Sequence, residues 1–178
     1  ADGVTDTLAV MDALGLEAAH VVGFSDGANI GMLLALAHPA RVRSLVHISG
    51  NLRPDADVWV PEEHHALAMP AEEGARVSRE YAELSPDGAD HEGAVGERIV
   101  QMWQTEPNID ADSLAVLRLP VLVMAGDHDM VALDHTLQIQ RSIPGAQLAI
   151  VPGASHMLVR ERPELVGRLL QEFLDAAR

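Results

Sequence analysis

The feature that most constrains this chain is a strand, a tight turn and a helix that follow one another within residues 19–37. Residues 20–24 are apolar and β-branched, which is typical of a short buried strand, and a helical run of small and apolar residues begins at Gly27. Ser25 lies at the turn between Gly23 and Gly27, where two residues without a Cβ let the backbone fold sharply. The pattern predicts that the Ser25 hydroxyl is presented to a substrate.

Composition and charge indicate one globular domain and exclude several kinds of partner. The 178 residues suffice for a single domain with a buried core, and 48% of them are hydrophobic. The formal net charge of -15 disfavours nucleic acid and anionic membrane surfaces, which would repel the protein. Cysteine is absent, so disulfides, thiolate metal sites and a cysteine nucleophile are excluded.

We expect a cytoplasmic location because no targeting signal is visible. The N-terminus has neither a basic start nor an apolar segment, and the longest apolar run, residues 30–37, is too short to span a bilayer. Because the chain does not begin with Met, an upstream targeting segment is an alternative.

The pattern outside the turn predicts an α/β fold. An apolar stripe from Val4 to Leu14 predicts an amphipathic helix, and residues 42–49 predict a second strand after the helix that begins at Gly27. A strand, a helix and a strand within this length form a βαβ unit, which implies a parallel sheet. Two further strands are predicted at 119–125 and 147–151. Two further helices are predicted at 134–143 and from Pro163 onward. We predict a single three-layer αβα domain over residues 1–178, with a mostly parallel sheet of about four strands.

Residues 51–112 interrupt this alternation. They hold fifteen Asp and Glu residues against four Arg, and they therefore carry most of the net charge. Helices are predicted at 70–84 and 92–104, separated by the turn Ser85-Pro86-Asp87-Gly88. We predict a short helical cap or lid over the strand ends, because long excursions in compact domains are usually functional. The alternative is an ordinary solvated excursion.

Three side chains with complementary chemistry follow the carboxyl ends of predicted strands, namely Ser25, Asp129 and His156. This edge is where sites form in parallel α/β sheets. A serine hydroxyl needs a base to become a nucleophile, an imidazole is such a base near neutral pH, and a carboxylate orients the imidazole. Asp127 is an alternative to Asp129, because the two lie in the same predicted loop.

These motifs resemble those of the α/β-hydrolase superfamily. Residues 23–27 match its Gly-x-Ser-x-Gly, residues 126–129 its Gly-x-x-Asp after a strand, and residues 153–156 its Gly-x-x-His loop. They occur in the order that the family shows. The resemblance covers the whole chain, and it is weakest over residues 51–112.

The resemblance implies a role for each of these side chains. Ser25 is the nucleophile, Asp129 is the orienting acid, and His156 is the general base and acid. The backbone N–H of Asp26 is one donor of the oxyanion hole, and the second donor comes from a loop after the third strand of the family's sheet. No metal and no organic cofactor is implied.

The sequence departs from the family before Ser25. One helix and one strand precede this serine, and no His-Gly dipeptide of the kind found in the family's oxyanion loop occurs. We therefore expect the N-terminal part of the fold and the second oxyanion donor to lie outside this chain, and the strand at 20–24 to be an exposed edge. The isolated chain is expected to be marginally stable, or to self-associate through that edge, and to be catalytically weak.

The resemblance implies a serine hydrolase that acts on a small ester, lactone or related carbonyl substrate through an acyl-enzyme. A non-catalytic ligand-binding protein, or a truncated and inactive hydrolase-fold protein, is the alternative. The predicted substrate pocket consists of Phe24, Trp59, Met69, Met102, Trp103 and Val131. The acidic and histidine clusters at 62–65 and 127–129 are predicted to be solvated loops, because further metal ligands at suitable spacing are lacking.

Overall fold

The structure of the chain, a computed structural model, describes residues 2–60 and 71–177. Helices and strands alternate along it, which confirms the α/β class. The strands are β1 (Ala19–Phe24), β2 (Val42–Ile48), β3 (Val121–His128) and β4 (Gln147–Ser155). The helices are α1 (Asp2–Ala13), α2 (Asp26–Ala37), α3 (Ala71–Leu84), α4 (Glu92–Trp103), α5 (Leu133–Ser142), α6 (Leu158–Glu161) and α7 (Pro163–Ala176).

The strands form one parallel sheet in the order β1-β2-β3-β4. Successive residues of β2 point to opposite faces of this sheet. Leu45 therefore lies in a hydrophobic cluster with residues of α1, α2 and α5, whereas Val46 lies in a cluster with residues of α6 and α7. Helices thus cover both faces of the sheet, which confirms the predicted three-layer αβα arrangement.

The strand β4 is longer than the sequence predicted. The pattern placed its end at Val151, because turn-forming residues follow. In the structure the pairing of β3 with β4 continues through a register shift as far as His128 and Ser155. Gly126 permits this continuation, because a Cβ at that position would collide with the carbonyl group of Ala154. The prediction of a loop directly after Val151 is wrong for this reason.

The turn between β1 and α2 holds Ser25 in a strained backbone conformation, with φ 55° and ψ −124°. Gly23 makes the turn possible, because a Cβ there would lie 2.7 Å from the Cα of Ala28 and would overlap the carbonyl of Gly27. Gly27 is different, since a Cβ on it would meet no described atom outside its own helix within 4 Å. The prediction that both glycines are needed is therefore right for Gly23 and wrong for Gly27.

The segment between β2 and β3 carries α3 and α4, close to the predicted bounds. The apolar side chains of α4 are only partly covered, because Met102 and Trp103 are 37% and 49% exposed and no residue of α4 is buried. Pro70, the predicted first residue of α3, lies outside the described residues.

One edge of the described sheet is formed by β1. Val22 on this strand is 47% exposed. The pairing of this edge with a second copy of the chain stays a prediction. No helix formed by residues 2–60 and 71–177 has the length and the apolar composition that crossing a membrane requires.

His47, in β2, has its imidazole sealed from solvent. It is 1% exposed, and neither ring nitrogen has a hydrogen-bond partner among the described residues. The ring packs against Gly50, where a Cβ would lie 2.6 Å from two of its atoms. Burial, together with repulsion by His135, lowers the pKa of His47 from 6.5 to about 4. The folded protein therefore keeps His47 neutral until the pH approaches this value.

We expect Gly23→Ala to destabilise the protein strongly and Gly27→Ala to leave it stable. At position 23 the new Cβ meets backbone atoms that cannot move aside, which should lower the free energy of unfolding by about 3 kcal/mol or more. At position 27 the methyl group enters open space, and alanine favours the helix by up to about 1 kcal/mol. Urea unfolding of both variants measures the difference, and equal midpoints would contradict this account of the turn.

We expect a loss of stability at acid pH that depends on His47. The unfolded chain binds a proton at this residue near pH 6.5, and the folded chain binds it only near pH 4. The free energy of unfolding should therefore decrease by about 3 kcal/mol as the pH falls through this interval. His47→Leu removes this titration, so its stability should depend less on pH.

Urea unfolding of wild type and His47→Leu at neutral pH and near pH 4 tests this expectation. The carboxylates and His135, whose pKa is also lowered by burial, titrate in both proteins, so the difference between the two pH dependences reports the contribution of His47. Equal pH dependences would show that burial of this imidazole has no effect on acid stability.

Candidate active site

The carboxyl ends of the strands bring four polar side chains to one edge of the sheet. The residues that directly follow β1, β2, β3 and β4 are Ser25, Ser49, Asp129 and His156. Because all the strands are parallel, these residues lie at the same edge. Three of the four are the residues that the sequence singled out, and Ser49 is the addition.

Ser25 lies against the imidazole of His156. Its Oγ is 3.0 Å from Nε2 of His156, although the two residues are 131 positions apart in the sequence. The strained turn keeps Ser25 in place, and its backbone N–H donates to the carbonyl of Ile48 at 2.9 Å. The hydroxyl is therefore held between the first turn of α2 and the ring of His156.

Asp129 lies on the other side of the imidazole. Its Oδ1 is 2.9 Å from Nδ1 of His156, and the side chains of Asp129 and His156 are 1% and 20% exposed. A carboxylate only accepts hydrogen bonds, so Nδ1 donates and Nε2 is left as the acceptor for the hydroxyl of Ser25. The backbone N–H of Val131 also donates to Oδ1, at 3.0 Å, and Oγ of Ser49 donates to Oδ2 at 2.5 Å.

Asp127, the alternative to Asp129, has different contacts. Its Oδ1 accepts a hydrogen bond from the backbone N–H of Ala154 at 3.2 Å and lies 3.3 Å from Nδ1 of His128. The contact with Ala154 joins β3 to β4, whereas His128 is the next residue of β3, and the Asp127 carboxylate does not bind His156. Of the two aspartates, Asp129 is the one that the structure brings to the imidazole.

A cavity of about 470 Å³ opens beside Ser25 and His156. Three of the predicted pocket residues line it, namely Trp59, Trp103 and Val131. Phe24 does not line this cavity, because its ring packs against the imidazole of His156 with the ring centroids 5.2 Å apart. Met102 lines a neighbouring cavity instead, and Met69 lies outside the described residues. Phe24 and Met102 are therefore not among the residues that line the cavity beside Ser25, and the substrate-binding role of the predicted set stays a prediction.

Several residues that line the cavity were missed by sequence reasoning, among them Ser49, Asn51, Gln104, Glu106 and Met130. Ser49 and Asn51 could have been found, because they follow the carboxyl end of β2 as Ser25 follows that of β1. Gln104 and Glu106 could not have been found in this way, because they follow the helix α4 and no strand. Only the course of the backbone after α4 brings them to the cavity.

The segment between β2 and β3 contacts the site at two places. Nε1 of Trp103 donates to Oδ2 of Asp26 at 2.8 Å, which joins the end of α4 to the residue after Ser25. Trp59 forms an isolated antiparallel bridge with Val131 on the opposite side. Both tryptophans of the chain therefore stand beside the cavity.

The described residues contain no group of three or more His, Asp and Glu side chains that could hold a metal ion. The cluster at 62–65 lies outside these residues. At 127–129 the side chains bind other partners, as described above.

Comparisons with known proteins identify the family to which this fold belongs. Residues 3–76 match the family model described as the alpha/beta hydrolase fold. A protein of Caulobacter sp. (strain K31), provisionally named carbamate hydrolase RutD, is 31% identical over 187 residues that cover 95% of this chain and 70% of that protein. The carboxylesterase YbfK of Bacillus subtilis (strain 168) is also 31% identical, over 93% of this chain and 60% of its own length.

A solved structure shows the same fold. The meta-cleavage product hydrolase CumD from Pseudomonas fluorescens IP01 superposes with a TM-score of 0.78 over 98% of this chain and 71% of that chain. The two sequences are 23% identical, so this match bears on the fold alone. From the fold, the family model and the relatives together, the chain belongs to the α/β-hydrolase fold family and is a hydrolase.

Proposed function

We propose that this hydrolase cleaves small esters, lactones or related carbonyl compounds by a serine acyl-enzyme mechanism. The observation that carries the proposal is the continuous series of hydrogen bonds from Ser25 through His156 to Asp129, with contacts of 3.0 Å and 2.9 Å. A serine hydroxyl, a base within reach of it and a carboxylate that orients the base are the three parts that this chemistry needs.

The proposed reaction has two stages. Nε2 of His156 takes the proton of the Ser25 hydroxyl while Oγ bonds to the substrate carbonyl carbon, and His156 then gives that proton to the leaving alcohol. Water attacks the resulting acyl-enzyme with the same proton transfers, which releases the acid and restores Ser25. Asp129 holds the imidazole in the required tautomer and stabilises the imidazolium form.

The backbone N–H of Asp26 is the proposed donor to the oxyanion. Asp26 is the first residue of α2, and the first N–H groups of a helix have no intrahelical acceptor. The positive end of the helix dipole also favours negative charge there. That a second donor lies outside this chain stays a prediction.

The size and surroundings of the cavity support a small substrate. A volume of about 470 Å³ lies in the range of sites for small molecules. Trp59, Trp103, Val100 and Val131 give it an apolar side, which suits a modest hydrophobic acyl or alcohol group. The names of the two relatives, a carbamate hydrolase and a carboxylesterase, both describe attack on a carbonyl bonded to a heteroatom.

We also propose that residues 51–112 act as a cap over the site. The support for this proposal is that the segment reaches both sides of the cavity, through Trp103 on Asp26 and Trp59 on Val131. The ends of the segment are anchored in the core, where Leu52 and Val58 are buried, but its helix α4 buries no residue and is therefore held less firmly. A cover attached in this way opens at low free energy and admits substrate.

We expect a fluorophosphonate to label Ser25. Ser25→Ala removes the nucleophile and His156→Ala removes the base, so both variants should lose the label. Both should also hydrolyse p-nitrophenyl acetate at least about a thousandfold more slowly in kcat/KM than wild type. Mass spectrometry of peptides from the labelled wild-type chain identifies the modified residue.

Asp127→Asn serves as the control for Asp129→Asn in the same assay. Asp129 binds the imidazole and Asp127 does not, so the first substitution should abolish most of the activity and the second should preserve it. A label on another residue, an unlabelled wild type, or equal losses for the two aspartates would contradict the proposed mechanism. An unlabelled wild type would favour a ligand-binding protein on the same fold.

We expect Trp103→Phe to loosen the cap and Trp59→Phe to leave it closed. Both substitutions keep an aromatic ring at the cavity and remove an indole N–H. Only Trp103 donates that N–H to Asp26, whereas Trp59 donates to the nearby carbonyl of Pro54. Hydrogen exchange in α4 should therefore become several-fold faster in Trp103→Phe alone. Equal exchange rates in the two variants would show that the hydrogen bond from Trp103 to Asp26 does not hold α4 against the site.

A further inference from the structure

We propose that Ser49 is a positioning residue, which fixes the carboxylate of Asp129 and through it the imidazole of His156. The proposal rests on the proposed function and adds a residue that lies outside its three reacting side chains. Ser49 directly follows β2, between the strands that carry Ser25 and Asp129. It is 3% exposed, and its hydroxyl reaches the carboxylate from the floor of the cavity.

The two oxygens of Asp129 have separate partners. Oδ1 accepts from His156 Nδ1 at 2.9 Å and from the backbone N–H of Val131 at 3.0 Å. Oδ2 accepts from Oγ of Ser49 at 2.5 Å, and the described residues offer it no other donor. A carboxylate that is held at one oxygen can still rotate about its Cβ–Cγ bond. The hydroxyl of Ser49 removes that freedom and keeps Oδ1 directed at the imidazole.

The backbone of Ser49 has a positive φ, as does that of Ser25. Among the described residues, these two serines are the non-glycine residues with positive φ, at 52° and 55°. Such a conformation is unfavourable for residues with a Cβ and persists only where surrounding contacts enforce it. Strain of this kind is concentrated at functional sites, and here it occurs at the ends of two neighbouring strands that face one cavity.

Specific contacts enforce this conformation. The backbone N–H of Ser49 donates to the carbonyl of Met124 on β3 at 2.8 Å. Gly50 follows, at a position where a Cβ would lie 2.7 Å from Oδ1 of Asn29. That Oδ1 accepts from the backbone N–H of Asn51 at 2.9 Å, and Nδ2 of Asn29 donates back to the Asn51 side chain at 2.9 Å. The loop that presents Ser49 is therefore tied to α2, the helix that begins beside Ser25.

A hydroxyl suits this position better than a charged donor. It satisfies a buried oxygen of Asp129 and leaves the negative charge of the carboxylate intact. An arginine or lysine would neutralise that charge and weaken the stabilisation of a charged His156. The hydrogen bond from the neutral hydroxyl thus orients the carboxylate of Asp129 and leaves its negative charge available to stabilise the imidazolium form of His156.

Two substitutions separate the hydroxyl from the strain. Ser49→Ala removes the hydroxyl and keeps a Cβ in the strained conformation, whereas Ser49→Gly removes the hydroxyl and relieves the strain. We expect kcat for p-nitrophenyl acetate to fall about tenfold to a hundredfold in both, with little change in KM, because each loses the same hydrogen bond to a charged group. We expect Ser49→Gly to unfold at a higher urea concentration than Ser49→Ala.

Ser44→Ala is the matched control. Ser44 is a buried serine within β2, and its Oγ is 2.7 Å from Nδ1 of His20 on β1, away from the cavity. This variant loses a buried side-chain hydrogen bond between β2 and β1, and it should keep the kcat of wild type. If the loss of any buried serine hydroxyl near β2 reduced activity, kcat would fall in all three variants.

Proton NMR provides a readout that does not depend on turnover. The Nδ1 proton of His156, bonded to Asp129, should give a low-field resonance in wild type and in Ser44→Ala. It should be lost or shifted upfield in Ser49→Ala and Ser49→Gly, because the carboxylate is no longer held. If the low-field resonance and kcat are both unchanged in the two Ser49 variants, the proposal is overturned while the serine mechanism stands.

The remaining outcomes are also decisive. Activity that is lost in Ser49→Ala and restored in Ser49→Gly would assign the effect to backbone strain and overturn the role of the hydroxyl. A wild type that hydrolyses no ester would overturn the proposed function. In that case the low-field resonance would still show whether Ser49 orients Asp129 against His156.

Discussion

Asp129 and His156 meet because β3 and β4 stay paired as far as His128 and Ser155, beyond the register shift that begins at Gly126. Neighbouring strands lie about 4.8 Å apart, so residues that directly follow two paired residues are within reach of each other. A slip of one residue would turn each side chain to the opposite face and separate the imidazole from the carboxylate. The rest of the site is arranged around this contact, since Ser25 lies against the imidazole and Ser49 against the carboxylate.

Local sequence pattern was enough to locate the edge of the sheet at which the site lies. Ser25, Asp129 and His156 each follow an apolar run that ends in a turn signal, and parallel strands bring such positions together whatever their spacing in the sequence. The local pattern did not predict the ends of strands correctly where a tertiary contact outweighs a local conformational preference. The end of β4 was misplaced because Pro152 and Gly153 favour a turn in isolation, whereas Val151 and Ser155 on either side of them both pair with β3 and continue the strand.

Ser49 shows why a residue outside a motif is hard to identify. Its place after β2 marks the edge of the sheet at which it lies, but a serine before a glycine after a strand is common in turns, so the local sequence does not indicate what its hydroxyl binds. Its positive φ and its contact with a carboxylate 80 residues later both result from the packing of β2 between β1 and β3. Phe24 is the opposite case, since it is adjacent to Ser25 in sequence but packs on the imidazole instead of lining the cavity. The directions of the Ser49 and Phe24 side chains both depend on the backbone conformation at the end of a strand. The periodicity of apolar residues does not determine that conformation.

The strand ends that carry the reacting side chains are held more firmly than the proposed cap. Strained backbone at Ser25 and Ser49 persists only because strand pairing and the Asn29–Asn51 hydrogen bonds over-determine it. The helix α4, by contrast, buries no residue. Because the free energy of local opening follows the burial of a segment, α4 should open far more readily than the strand ends. On the proposed function, the reacting groups are held in place by the strand ends, and α4 is the part of the site that is expected to move when substrate enters.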